Sequence, residues 1–180
     1  MGSLPPDTAG ALELLDRVQR AGSLADALAR VIEGALSPLG TERALAAQVR
    51  RGALRGVAAT GWDDPAVRAF SVPLSAEFHP AVRAALTGEP VASGGQDELL
   101  PGLARAAVLP VPGTRGAWGV LVVDPAGRKL DDFADAAATL RVVGPALERL
   151  AEVEELRRSA AGAERQRQLL TAIVNALPDP

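Results

Sequence analysis

Few residues in this chain have chemistry to offer. Its 180 residues contain one histidine and no cysteine, which removes disulfides, thiolate catalysis and thiol-attached cofactors together. His79 stands alone, followed by Pro80 and without a cluster of second ligands, so it reads as a helix-start residue. No metal site is expected, and haem ligation is not expected either. Ser71 and Ser75 lie close before His79, but nothing like a nucleophile elbow surrounds them. No catalytic residue is assigned. Gly94, Gly95 and Gln96 lack the Lys and Ser/Thr that complete a phosphate-binding loop. Arg50, Arg51 and Arg55 crowd one short stretch. With a net charge of −3 and both signs scattered, they read as a solvated turn and not as a nucleic-acid face.

The elements that must position these residues emerge from periodicity. The chain is 48% apolar but only 3% aromatic, without tyrosine, so Ala, Leu and Val must fill the core. No apolar run is long enough to span a membrane and no secretory leader is legible, which predicts a cytoplasmic protein. Leu12, Leu15 and Val18 give helical spacing up to Gly22. Ser23 and Asp26 resemble a capping box for a second helix carrying Leu24, Leu28, Val31 and Ile32. The period then changes to two, predicting a hairpin across Arg51 and Gly52, a loop at residues 62–65 and a short strand at Phe70, Val72 and Leu74. A short helix with Phe78, Val82 and Leu86 on one stripe and a strand at residues 91–93 come next, then a loop to about residue 102. Two apolar runs, residues 104–111 and 117–123, predict a central hairpin buried on both faces. Asp131 is placed to cap a long helix carrying Phe133, Leu140, Val143, Leu147 and Leu150. The order implies an α+β fold, with an antiparallel sheet of about six strands and segregated helices.

This order resembles a GAF domain, the small-molecule sensor module of bacterial signalling proteins. Residues 53–62, ending in Gly61 and Trp62, resemble its second strand. Residues 107–112 and 116–123, with Gly119 opening the latter strand, resemble its central hairpin, and residues 130–133 resemble its entry into the long helix. The likeness covers residues 10–153. The end of the chain, residues 169–180, resembles the opening of a PAS domain. Together they imply residues 1–9 as a disordered start or tag remnant, 10–152 as a GAF-like sensor domain, 153–177 as a signalling helix and 178–180 as the start of a truncated PAS domain. The implied partners are PAS and kinase domains further along the same chain, most simply in a sensor histidine kinase.

The resemblance also implies a ligand region between the sheet and the short helices over one face. It maps here to Trp62, Phe70, Phe78, His79, Arg83, Ser93 and Trp118, where packing of scarce aromatics is the competing explanation. Bilin-binding and sulfoxide-reducing members need a cysteine, and the cyclic-nucleotide subtype needs an Asn-Lys, Phe and Asp-Glu pattern that is missing. The cofactor stays unknown. In the connector, Leu140, Val143, Leu147 and Leu150 are spaced 3-4-3, and Ala160, Ala163, Arg167, Leu170 and Val174 resume that alternation. Val153 and Leu156 between them predict a phase change. Glu154 and Arg158 stand at i, i+4. So long and polar a helix predicts a homodimer through the N- and C-terminal helices. The alternative is a ligand-free dimerisation or spacer module.

Overall fold

The computed structural model describes residues 8–94, 99–100 and 102–176. The chain runs α1 (Thr8–Gln19), α2 (Leu24–Leu36), β1 (Ala44–Arg50), β2 (Ala53–Thr60), α3 (Asp64–Ala69), β3 (Ser71–Pro73), α4 (Pro80–Thr87), β4 (Val91–Gly94), β5 (Arg105–Pro112), β6 (Ala117–Val123) and α5 (Ala134–Ala176). Among the described residues the strands form one antiparallel sheet in the order β3-β2-β1-β6-β5-β4. No described helix is long and apolar enough to cross a membrane. Residues 1–7 and part of the loop expected before residue 102 lie outside the described residues.

The sheet has a core on each face, and that is why β5 and β6 read as continuous apolar runs. One face packs against α1, α2 and α5 through Leu28, Val31, Leu36, Leu109, Leu121, Leu140, Val143 and Leu147. The other packs against α3 and α4 through Leu45, Leu54, Phe70, Val82, Val108, Val120 and Val122. Two irregularities break the alternation. Ala46 pairs with Ala58 while Ala47 pairs with Gly56. Val111 pairs with Gly119 while Pro112 pairs with Ala117. Each is a bulge that inserts one residue, Val57 or Trp118, and reverses the facing of the residues beyond it.

Several helix boundaries differ from the expectations. The stretch 62–65 is not all loop, because the Asp63 carboxylate accepts from the Ala66 N–H at 3.0 Å and Pro65 fits the first turn, so α3 begins there. Asp131 does not cap the long helix. Residues Leu130–Phe133 form a 3-10 turn in which the Asp132 carboxylate accepts from the Lys129 N–H at 2.9 Å, and α5 starts directly after it. Only half of the capping box at Ser23 forms: Ser23 Oγ accepts from the Asp26 N–H, whereas the Asp26 carboxylate turns to the Gly22 N–H. The stripe of α4 consists of Ala81, Val82, Ala84 and Ala85, with Leu86 exposed. Phe78 precedes the helix cap and never joins that stripe.

Helix α5 approaches the sheet closely where Gly144 passes the Pro112 carbonyl, against which a Cβ at residue 144 would collide. Ordinarily Gly→Ala inside a helix is favourable by about 1 kcal/mol. Here Gly144→Ala is expected to lower unfolding free energy by about 1–3 kcal/mol, because the helix must lift from β5. Urea denaturation measures the difference, and a stabilised variant would contradict the close approach.

Candidate functional site

The seven residues expected around a ligand do not converge. Phe70 is buried under α3, and Ser93, paired with Ala106, is buried on the same sheet face. Trp62 is half-buried against that core. His79 caps α4, its Nδ1 accepting from the Ala81 N–H at 3.2 Å. That lone pair is committed to the helix start. Arg83 points to solvent on the far side of α4, and Phe78 is 96% exposed. Trp118 lies on the opposite face of the sheet, in the core with α2 and α5. Strict alternation would put it with Val120 and Val122; the bulge turns it over. The face under α3 and α4 is packed with Leu99, Leu100 and Leu103 besides Phe70 and Val82.

Trp62 has a different occupation. The Arg43 guanidinium lies 5.3 Å from its ring centroid and also donates to Asp124 at 2.7 and 3.1 Å and to the Gly102 carbonyl. Arg43 thereby ties together the end of β2, the exit of β6 and the loop before β5. Burial pushes the Asp124 carboxyl up, but the Ala126 N–H and the Arg43 guanidinium outweigh it and hold the group below its ordinary value.

The open region is on the other face. A cleft of about 660 Å³ separates the β1–β2 hairpin and the start of β6 from α5. Gln48, Arg50 and Arg55 form its sheet wall, with Arg51 at the turn; Glu148, Ala151, Glu152, Glu155 and Arg158 form its helix wall. Trp118 sits between them, 4% exposed, with its indole N–H unpartnered. The sequence places the three arginines on one hairpin, but their company of Trp118 depends on the bulge.

The residues expected along a dimer seam divide in two. Leu140, Val143 and Leu147 are fully buried in the core of their own domain and are not available to a partner. Leu150 packs partly against that core. Val153, Leu156 and Leu170 are 36%, 70% and 57% exposed. The side chain of Val174 lies outside the described residues. The expected phase change is a change of face. Residues 140, 143, 147 and 151 point inward, while positions 142, 146, 149, 153, 156, 160, 163, 167 and 170 keep an unbroken 4-3 alternation. Where the two stripes separate, Glu154 fastens the helix: its carboxylate accepts from the Leu24 N–H at 2.6 Å, at the start of α2, and pairs with Arg158 at 3.1 Å.

No family model matches the chain, and no curated protein matches it in sequence. Solved structures do match in fold. The GAF domain of an Acinetobacter phosphoenolpyruvate-protein phosphotransferase superposes with a TM-score of 0.65 at 15% identity, over 84% of this chain and 98% of that one. The fold is that of a GAF domain. A methyl-accepting chemotaxis protein fragment gives a TM-score of 0.60 at 18% identity, covering 80% of this chain and 99% of that chain. The GAF-B domain of DevS from Mycobacterium smegmatis gives 0.55 at 22% identity, covering 70% and 93%. Within this GAF fold, the Arg-lined cleft lies on the side of the sheet covered by the terminal helices, away from α3 and α4.

The link between α2 and α5 has a measurable signature. The Leu24 N–H holds the Glu154 carboxyl below its ordinary value against the opposing effect of burial, with Arg158 adding to the lowering. A lowered folded pKa means stability that is present above the unfolded value, near 4.5, and is lost as pH falls through the folded value. Glu154→Gln is expected to lower stability by about 0.5–1 kcal/mol at pH 7. The gap to the unsubstituted protein should close under acid, as thermal melts across pH 7 to pH 3 would record.

Proposed function

We propose that this chain is the regulatory sensor domain of a multidomain signal-transduction protein, most simply a cytoplasmic histidine kinase with a PAS domain next in the chain. A change in ligand occupancy or dimer packing is relayed through α5, and no catalytic step is assigned to the domain. The observation that carries this reading is the division of α5. Its first turns are core, and residues 152–172, about 32 Å at 1.5 Å per residue, project as a largely exposed rod with apolar Leu156, Leu169 and Leu170. A shift of the sheet against α5 therefore moves any segment joined to the far end of the helix. A coupling of about 1–3 kcal/mol between domain and helix would change output several-fold or more. The GAF fold shared with a chemotaxis protein and with DevS supports the same reading.

The occupant of the outward stripe is a second copy of the chain in parallel, since a 4-3 pattern with mixed Glu and Arg flanks suits a two-fold coiled coil. Arg149, Ala160, Ala163 and Arg167 on that stripe make the seam weak. The groove between α1 and α5, about 350 Å³ and lined by Val18, Gln19, Ala146, Arg149, Leu150 and Val153, continues the stripe toward the N-terminal helix. The well-filled face under α3 and α4 favours a second reading, a spacer that dimerises without a ligand there.

Sedimentation velocity separates the outcomes. The chain is expected to be a dimer, and Leu156→Glu with Leu170→Glu to shift it to monomer with unchanged circular dichroism. A monomeric unsubstituted chain, or a dimer indifferent to both substitutions, would remove the helix relay.

A further inference from the structure

We propose that the cleft between the β1–β2 hairpin and α5 is a binding site for a small phosphorylated organic molecule. It deepens the sensor reading, on which it rests, by giving it a ligand class, and it lies on the sheet face opposite the one first expected to hold a ligand. At about 660 Å³ the cleft has the size of a small-molecule site. Its charges do not cancel. Arg51 and Arg55 have no hydrogen-bond or ion-pair partner among the described residues, and the Arg50 guanidinium donates only to the Gln48 amide oxygen at 2.7 Å. On the opposite wall, the Glu148 carboxylate already accepts from the Thr114 N–H and hydroxyl, and Glu155 is paired with Arg158 at 3.0 Å. Of the lining acids only Glu152 remains unengaged, against the two unpaired guanidinium groups of Arg51 and Arg55, while Arg50 also lies in the field of Glu154. Planar guanidinium donors clustered within six residues match the several oxygens and the double charge of a phosphate monoester.

Two further features belong to a site rather than to a solvated turn. The lining Trp118 is buried with its indole N–H unsatisfied, and a buried donor without an acceptor is destabilising until one arrives. The Trp118 side chain lines the cleft beside Val49, Ala117 and Ala151, which offer apolar contact to the ligand body. The second is Arg51 itself. Its φ of 49° is left-handed, as is that of Gly52 at 76°, the arrangement of a tight hairpin turn in which Asn or Gly is the unstrained choice. A long guanidinium arm held there at the expense of strain is placed beside the cleft mouth.

Trp62→Phe leaves Trp118 as the sole indole, so its fluorescence reports the cleft. Titration at low salt with phenyl phosphate and with adenosine monophosphate is expected to change that emission saturably, with phenol and adenosine giving no response. Raising the salt should weaken binding. In the same background, Arg51→Glu with Arg55→Glu should weaken it at least about tenfold; both side chains are exposed, so folding is retained. Calorimetry on Trp118→Phe should give weaker binding with the fold intact by circular dichroism. No saturable response to either phosphorylated probe, or a response unaffected by the paired arginine substitutions, would overturn the site. Sedimentation of the same samples reports the helix relay separately, so a failed site and a failed relay are told apart.

Discussion

Everything in this molecule depends on the burial of one side of α5 against the sheet. Leu140, Val143 and Leu147 are fully buried between the strands and the two N-terminal helices. Each such side chain contributes about 1.5–3 kcal/mol when removed from water. Without them the helix would be a polar segment with no reason to lie where it does. With them, it becomes a strut embedded in the domain at its start, with residues 155–172 exposed beyond the core. Gly144 permits that embedding, because only a residue without Cβ passes the Pro112 carbonyl. The consequence is a dense contact: α5 and the sheet are packed together along β5 and β6.

The same strut makes the two sides of the sheet unequal. Under α3 and α4 the space is filled by medium-sized aliphatic side chains and Phe70, as a chain poor in aromatics requires. On the other side, α5 crosses the sheet and leaves the corner by the β1–β2 hairpin open as the cleft. Trp118 fills the bottom of that corner. Its position, the unpaired Arg51 and Arg55 and the engaged Glu148 and Glu155 give the corner a chemical character that the filled face lacks. Long-range ties keep this geometry in place. Glu154 reaches the start of α2, and Glu148 caps the turn of the β5–β6 hairpin through Thr114. Both acids come from α5, one on either side of the point where it leaves the core.

Much of the fold is legible from periodicity alone. The hairpin at Arg51 and Gly52, the central hairpin ending at Val123 and the amphipathic α2 all express local spacing, which is why their positions agree with the structure. The site is less legible. Grouping Trp118 with Phe70 assumes that alternate residues share a face, and one inserted residue in β6 undoes that assumption. Helical spacing groups Phe78 with Val82, yet the helix begins after it. In the connector, two stripes on one helix look in sequence like a single seam with a change of phase. Spacing shows that an apolar stripe exists, but not which neighbour covers it.

The sequence by itself determined the element types and their order apart from α3, the Ala-rich packing and the exclusion of thiol chemistry, since each depends on residue identity or on spacing within a few turns. Tertiary structure alone decided which face each side chain joined. That applies to Trp118 turned over by a bulge, to His79 committed to the start of α4, to Arg43 stacked on Trp62, and to Leu140, Val143 and Leu147 taken by their own core. The physical reason is common to all four. Facing is set by contacts between segments far apart in the chain, and a single extra residue or a single close approach reverses it without altering the local pattern.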